Sequence, residues 1–154
     1  MMPNCTTRVL LAEDDQGHAS LIRRNLLRSG FLNEVVHVQD GQEALDYIYR
    51  AGPFQGRDPD GPLLVVLDVN MPRIGGVEVL RRIKADDRLN RLPIIMLTTT
   101  DDPREVENCY SLGCNLYITK PVDYPSFVDA LKRLGQLIEV VTLLTESELQ
   151  EARR

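Results

Sequence analysis

Five side chains of this chain have the types and the placing to do chemistry together. Glu13 and Asp14 follow one short apolar run, Asp68 follows a second, Thr98 closes a third, and Lys120 follows a fourth and precedes Pro121. Taken singly, each has a bland explanation. An Asp after a buried strand is more often a turn former or the cap of the next helix, a Thr often only ends a strand, and a Lys often only pairs with an acid. Taken together they predict a reactive site. Acids brought close repel one another and raise each other's pKa unless a cation sits among them, which predicts a bound divalent metal. Hard carboxylate oxygens with positions left open for water favour Mg2+. Lys120 is then a point charge for a phosphate oxygen, Thr98 a hydroxyl for another, and Asp68 the nucleophile that accepts a phosphoryl group.

Such convergence requires elements that carry all five residues to one edge. The apolar runs at residues 8–12, 34–38, 63–67, 92–97 and 116–118 read as strands, and Leu-Leu-Val-Val-Leu before Asp68 has the continuous apolar pattern of a strand buried on both faces. Between them lie helical stripes. The first covers about residues 18–29, with Leu21, Ile22, Leu26 and Leu27 on one side and Arg23, Arg24 and Arg28 on the other. Asp40-Gly41 opens a second with Ala44, Leu45 and Ile48 inward, and Val77, Leu80 and Ile83 mark a third with Arg81, Arg82 and Lys84 outward. Pro103 suits the first turn of a fourth, with Val106 and Cys109 or Tyr110 inward and Gly113 as its stop. Phe127, Leu131, Leu134 and Ile138 give the fifth the clearest helical period in the chain. Strand and helix alternating five times predict an α/β fold: a doubly wound, five-stranded parallel sheet of the flavodoxin-like order 2-1-3-4-5, with five helices and a C-terminal extension. In such a sheet every strand tip points to the same edge, where ligands bind.

Composition narrows the function classes. The chain has 154 residues, enough for one domain, here residues 8–138, with residues 139–154 as an extension too short for an output domain, so the reading is of a stand-alone unit. A net charge of -5 offers no basic field for nucleic acid. No apolar run is long enough to span a membrane, and residues 1–8 lack the apolar core of a secretion signal, so a cytoplasmic location is expected. Cys5, Cys109 and Cys114 form no Cys-x-x-Cys pair and read as reduced structural thiols, while His18 and His37 receive no role. Residues 52–62, dense in Gly and Pro, read as an inserted loop.

Residues 8–138 resemble a response regulator receiver domain of two-component signalling. The likeness rests on the acidic pair Glu13-Asp14, on Leu-Asp-Val-Asn-Met-Pro around Asp68, on Met-Leu-Thr-Thr at Thr98, and on Tyr-Ile-Thr-Lys-Pro ending at Lys120-Pro121. The resemblance implies that Asp68 is the phosphoacceptor and that Glu13, Asp14 and Asp68 with the backbone carbonyl of Asn70 hold Mg2+. It implies that Thr98 and Lys120 contact the phosphoryl oxygens and that Tyr117 is an aromatic switch coupled to Thr98. It implies a histidine kinase or phosphotransfer protein as donor, a cis bond between Lys120 and Pro121, and no enzymatic turnover beyond the domain's own phosphorylation and dephosphorylation. Two departures bear on switching. Gly75-Gly76 lacks a side-chain cap for the third helix and predicts a looser loop, and the β-branched Thr99 predicts restricted movement of Tyr117.

The insertion at 52–62 and the apolar tail (Val140, Val141, Leu143, Leu144, then a capping box at Thr145 and Glu148) resemble the single-domain regulators that accompany bacteriophytochrome-type histidine kinases. That likeness implies a homodimer involving the tail and a downstream protein or phosphotransfer partner. Two rivals fare worse. A haloacid dehalogenase-type phosphohydrolase needs a second Asp two residues after the nucleophile, where this chain has Asn70. A flavin or nucleotide module needs a phosphate-cradling loop after the first strand, where Glu13, Asp14 and Asp15 would repel phosphate.

Overall fold

The structure, a computed structural model, describes residues 7–28, 32–57 and 62–137. Five strands, β1 (Thr7–Ala12), β2 (Leu32–Val38), β3 (Leu63–Leu67), β4 (Ile94–Thr98) and β5 (Leu116–Thr119), form one parallel sheet in the order 2-1-3-4-5. Helices α1 (Gln16–Leu27), α2 (Gly41–Tyr49), α3 (Gly76–Ala85) and α4 (Pro103–Leu112) follow the first four strands, and α5 (residues 124–137) follows the last. The five-strand, five-helix alternation and the strand order are those the sequence predicts.

Two apolar layers flank the sheet because strand side chains alternate in direction. From β3, Val65 and Leu67 join Leu10, Ala44, Leu80, Ile83 and Met96 under α2, α3 and α4. Leu64 and Val66 join Val9, Ile22, Leu26 and Leu97 under α1 and α5. Of the fifth-helix stripe, Phe127, Leu131 and Leu134 are buried as expected, and Ile138 lies outside the described residues. The third helix is rotated slightly from the expected stripe, burying Val79, Leu80 and Ile83 while Val77 is half-buried. In α4 Cys109 is the inward residue and Tyr110 is exposed.

Lys84 departs from the outward reading. Its ammonium donates to the carbonyls of Asn90 and Leu92 at 3.0 and 2.8 Å, so its charge closes the connection from α3 to β4. In the described part of the insertion a 3-10 turn (Gly52–Phe54) places the Phe54 ring edge-on to Tyr47, and the Arg57 guanidinium stacks on Tyr47 and donates to the carbonyls of Tyr47 and Ile48 at the end of α2. The extension, residues 139–154, lies outside the described residues. Cys109 and Cys114 are free and buried, as read from the sequence, and burial pushes the Cys109 thiol up to about 11.

Candidate functional site

The sheet places the site by continuing its own hydrogen bonding one residue past each strand. The Glu13 amide donates to Val38 O at 3.0 Å, the Asp68 amide to Ala12 O at 3.1 Å, and the Lys120 amide to Thr98 O at 2.7 Å. Each side chain is thereby fixed at the carboxyl edge of the sheet. The loop after Asp68 is held as firmly. A Cβ on Gly76 would stand 2.0 Å from Asp68 O and one on Gly41 2.0 Å from Ile74 O, so only glycine permits these backbones to touch. Gly75 gives α3 no side-chain cap, as foreseen, but the expected looseness does not follow: Gly76 donates to Val69 O and Gly41 to Ile74 O. Arg73, in the left-handed region at φ 64°, makes two bonds to Asp40, whose carboxylate also caps α2 through the Glu43 amide. Burial pushes Asp40 up, but the Arg73 and amide bonds hold it below the usual carboxylate range.

Glu13, Asp14 and Asp68 each offer an oxygen within 4.8 Å of the others'. Glu13 and Asp68 are buried and Asp14 is exposed. Lys120, itself buried, reaches across: its Nζ lies 2.6 Å from Glu13 Oε2 and 3.1 Å from Asp68 Oδ2. Burial pushes the Glu13 carboxyl up to about 7, against the pull of the Lys120 hydrogen bond and with a further push from the charge of Asp68. One ammonium therefore does not neutralise the cluster. Three hard oxygens within 4.8 Å of one another, two on buried side chains and one on an exposed one, fit a small divalent cation such as Mg2+.

Of the other residues named from the sequence, Thr98 is fully buried at the end of β4, with its Oγ1 3.4 Å from the amide of Thr100. Asn70 sends its amide nitrogen to Thr100 Oγ1 at 2.9 Å, bridging the loops after β3 and β4. Tyr117 is half-buried, its hydroxyl donating to Thr100 O at 2.5 Å, and burial pushes its pKa up to about 12. Two expectations need correction. All peptide bonds among the described residues are trans, Lys120–Pro121 included, which is the isomer that X–Pro bonds intrinsically favour. Thr99 is exposed, so its branched side chain is not wedged against Tyr117.

Both histidines without an assigned role belong to the site's surroundings. His37 Nε2 lies 2.7 Å from Glu13 O, and His18 Nδ1 lies 3.2 Å from Lys120 Nζ. The missed signal was positional: His18 is the third residue of α1, whose start is capped by Asp15 at the same edge as the acids.

A doubly wound sheet with a buried acid–lysine cluster at its carboxyl edge defines a class of single-site α/β domain. The family model described as the response regulator receiver domain matches residues 9–132. The chain belongs to that family. A solved receiver domain from Rhodospirillum rubrum is 42% identical at a TM-score of 0.78, covering 86% of this chain and 94% of its own. The bacteriophytochrome response regulator RtBRR is 39% identical at a TM-score of 0.69, covering 83% and 77%. Among curated relatives, the probable methanogenesis regulatory protein FilR2 of Methanothrix harundinacea is 36% identical over 85% of this chain and 81% of its own.

Proposed function

We propose that this receiver domain is phosphorylated on Asp68 by a histidine kinase or phosphotransfer protein and passes the change to a partner through its surface. The observation that carries the reading is the grouping of Glu13, Asp14 and Asp68 oxygens within 4.8 Å, with Lys120 Nζ 3.1 Å from Asp68. In the proposed step an Asp68 oxygen attacks the phosphorus of a phosphohistidine; the new P–O bond forms as the P–N bond breaks, and the imidazole leaves with the bonding pair. Glu13, Asp14 and Asp68, with the Asn70 carbonyl, would hold Mg2+, which supplies positive charge for the phosphoryl oxygens when bound. Lys120, 3.1 Å from Asp68 Oδ2, supplies a second positive charge, and Thr98 offers a hydroxyl at the end of the neighbouring strand.

Phosphorylation places up to about two negative charges at this edge. Bonds from Asn70 to Thr100 and from Tyr117 to Thr100 support Tyr117 as the switch, because both report on the loop that follows Thr98. The likeness to a bacteriophytochrome response regulator supports a kinase of that type, and the apolar tail supports a homodimer. Buried free thiols suit a reducing, cytoplasmic setting.

Intact mass after incubation with Mg2+ and a small phosphodonor should show one phosphoryl gain in the wild type and none in Asp68→Asn. No gain in the wild type, or an equal gain in the variant, refutes the reading. Light scattering of the chain ended at residue 138 tests the tail: the same number of chains per particle as the full-length protein refutes its part in a dimer.

A further inference from the structure

The ammonium of Lys120 has three N–H donors and no acceptor. Two point at carboxylates, Glu13 Oε2 at 2.6 Å and Asp68 Oδ2 at 3.1 Å. The third finds His18 Nδ1 at 3.2 Å. Lys120 can only donate, so this contact is a hydrogen bond when His18 Nδ1 accepts and the ring hydrogen is on Nε2; Glu13 Oε1 at 3.9 Å and Asp15 Oδ2 at 4.0 Å lie near the same nitrogen. The ring is held for this task. Its backbone amide is tied to the Asp15 cap at 3.0 Å, and its face meets Phe127 edge-on at 5.8 Å, which anchors α1 to α5 across the site.

We propose that His18 is a positioning residue for phosphorylation: by accepting the third N–H it fixes the ammonium between Glu13 and Asp68. This rests on the proposed role of Asp68. Without that acceptor, a buried N–H is left unpaired, and the ammonium can regain contact only by settling further onto the two carboxylates. One of them is the nucleophile, whose attacking oxygen then stays masked. The substitution that shows this is His18→Leu, which keeps a side chain of similar bulk but offers no acceptor. His18→Asn is its conservative partner, since the Asn Oδ1 stands about where Nδ1 does along the side chain.

The experiment measures phosphorylation by a small phosphodonor at saturating Mg2+, followed by intact mass against donor concentration. His18→Leu should lower the maximal rate about fivefold, the effect of one charged hydrogen bond in part replaced, with the half-saturating donor concentration unchanged. His18→Asn should return it to within about twofold of wild type. A His18→Leu rate equal to wild type, or a His18→Asn rate as low as that of His18→Leu, overturns the proposal; a packing role alone would leave the Asn variant unrescued. A second measurement needs neither metal nor phosphate. Long-range proton–nitrogen correlation of the histidines should show His18 with its hydrogen on Nε2, and a hydrogen on Nδ1 overturns the proposal. If the wild type gains no phosphoryl group, the role of Asp68 fails, while the tautomer still decides the His18 contact.

Discussion

Glu13 makes the stability of the fold depend on pH in the direction opposite to most surface acids. Its carboxyl is pushed from 4.5 up to about 7, first by burial and further by the charge of Asp68, while the Lys120 bond pulls it down. An acid whose native pKa lies above its unfolded one binds its proton more tightly when folded. Its contribution to stability is therefore complete below about 4.5 and disappears as pH rises through about 7. Linkage with these two values gives a loss of at most about 2 kcal/mol between about pH 5.5 and 8. The acids that shift down, Asp15, Asp40, Glu78, Asp86 and Asp123, add stability as pH rises, but their gain is complete by about pH 5.5. Urea unfolding at fixed ionic strength with a chelator, at several pH values across this window, should show the midpoint falling as pH rises. Glu13→Gln should flatten the curve. A wild-type midpoint that is level or rising between about pH 5.5 and 8, or a Glu13→Gln curve parallel to it, refutes the assignment.

Other substitutions test how the surrounding backbone holds Asp68. Gly76→Ala puts a Cβ 2.0 Å from Asp68 O, where only backbone can yield, and should cost about 2 kcal/mol in urea unfolding and slow phosphorylation. Gly56→Ala, whose Cβ would meet nothing within 4 Å, should cost neither. Asp40→Ala removes both the cap of α2 and the partner of Arg73, for a loss of about 1–2 kcal/mol, whereas Arg73→Ala should cost less than Asp40→Ala because the Arg73 end of the pair is exposed. Calorimetry of the two single variants and the double one should show costs that do not add.

The sheet was legible because its strands are apolar on both faces and its helices carry periodic stripes, and those patterns fix strand number, helix number and the edge where Asp68 emerges. The acids and Lys120 were legible for the same reason: each lies within two residues of the end of a run. What the sequence could not show was contact between helix and strand tips. His18 lies on the partly exposed side of its helix, and nothing local distinguishes it from a surface histidine until α1 and α5 are packed. Lys84 likewise reads as a solvated cation, because its partners are backbone carbonyls, which leave no trace in a pattern of side chains. The expected looseness around Gly75-Gly76 had the same origin: Gly75 leaves the cap missing, but its neighbour Gly76 is required by a close backbone approach to Asp68 that no sequence pattern displays.

The geometry also bears on how a charge at Asp68 would reach the far edge of the sheet. Asp68 and Lys120 are each tied by their amides to a neighbouring strand, so neither is free to move its backbone without breaking the ladder. The loop after Thr98 is held differently, mainly through Thr100, which receives Asn70 on its hydroxyl and Tyr117 on its carbonyl. The Tyr117 amide in turn donates to the hydroxyl of exposed Tyr110 on α4 at 3.0 Å. A displacement of Thr100 toward the phosphate must therefore break or drag bonds on both sides, one to the Asp68 loop and one to the outer strand. On the proposed reading, this places the readout on the surface shared by α4 and β5, where a side-chain rearrangement costs a few hydrogen bonds rather than a strand.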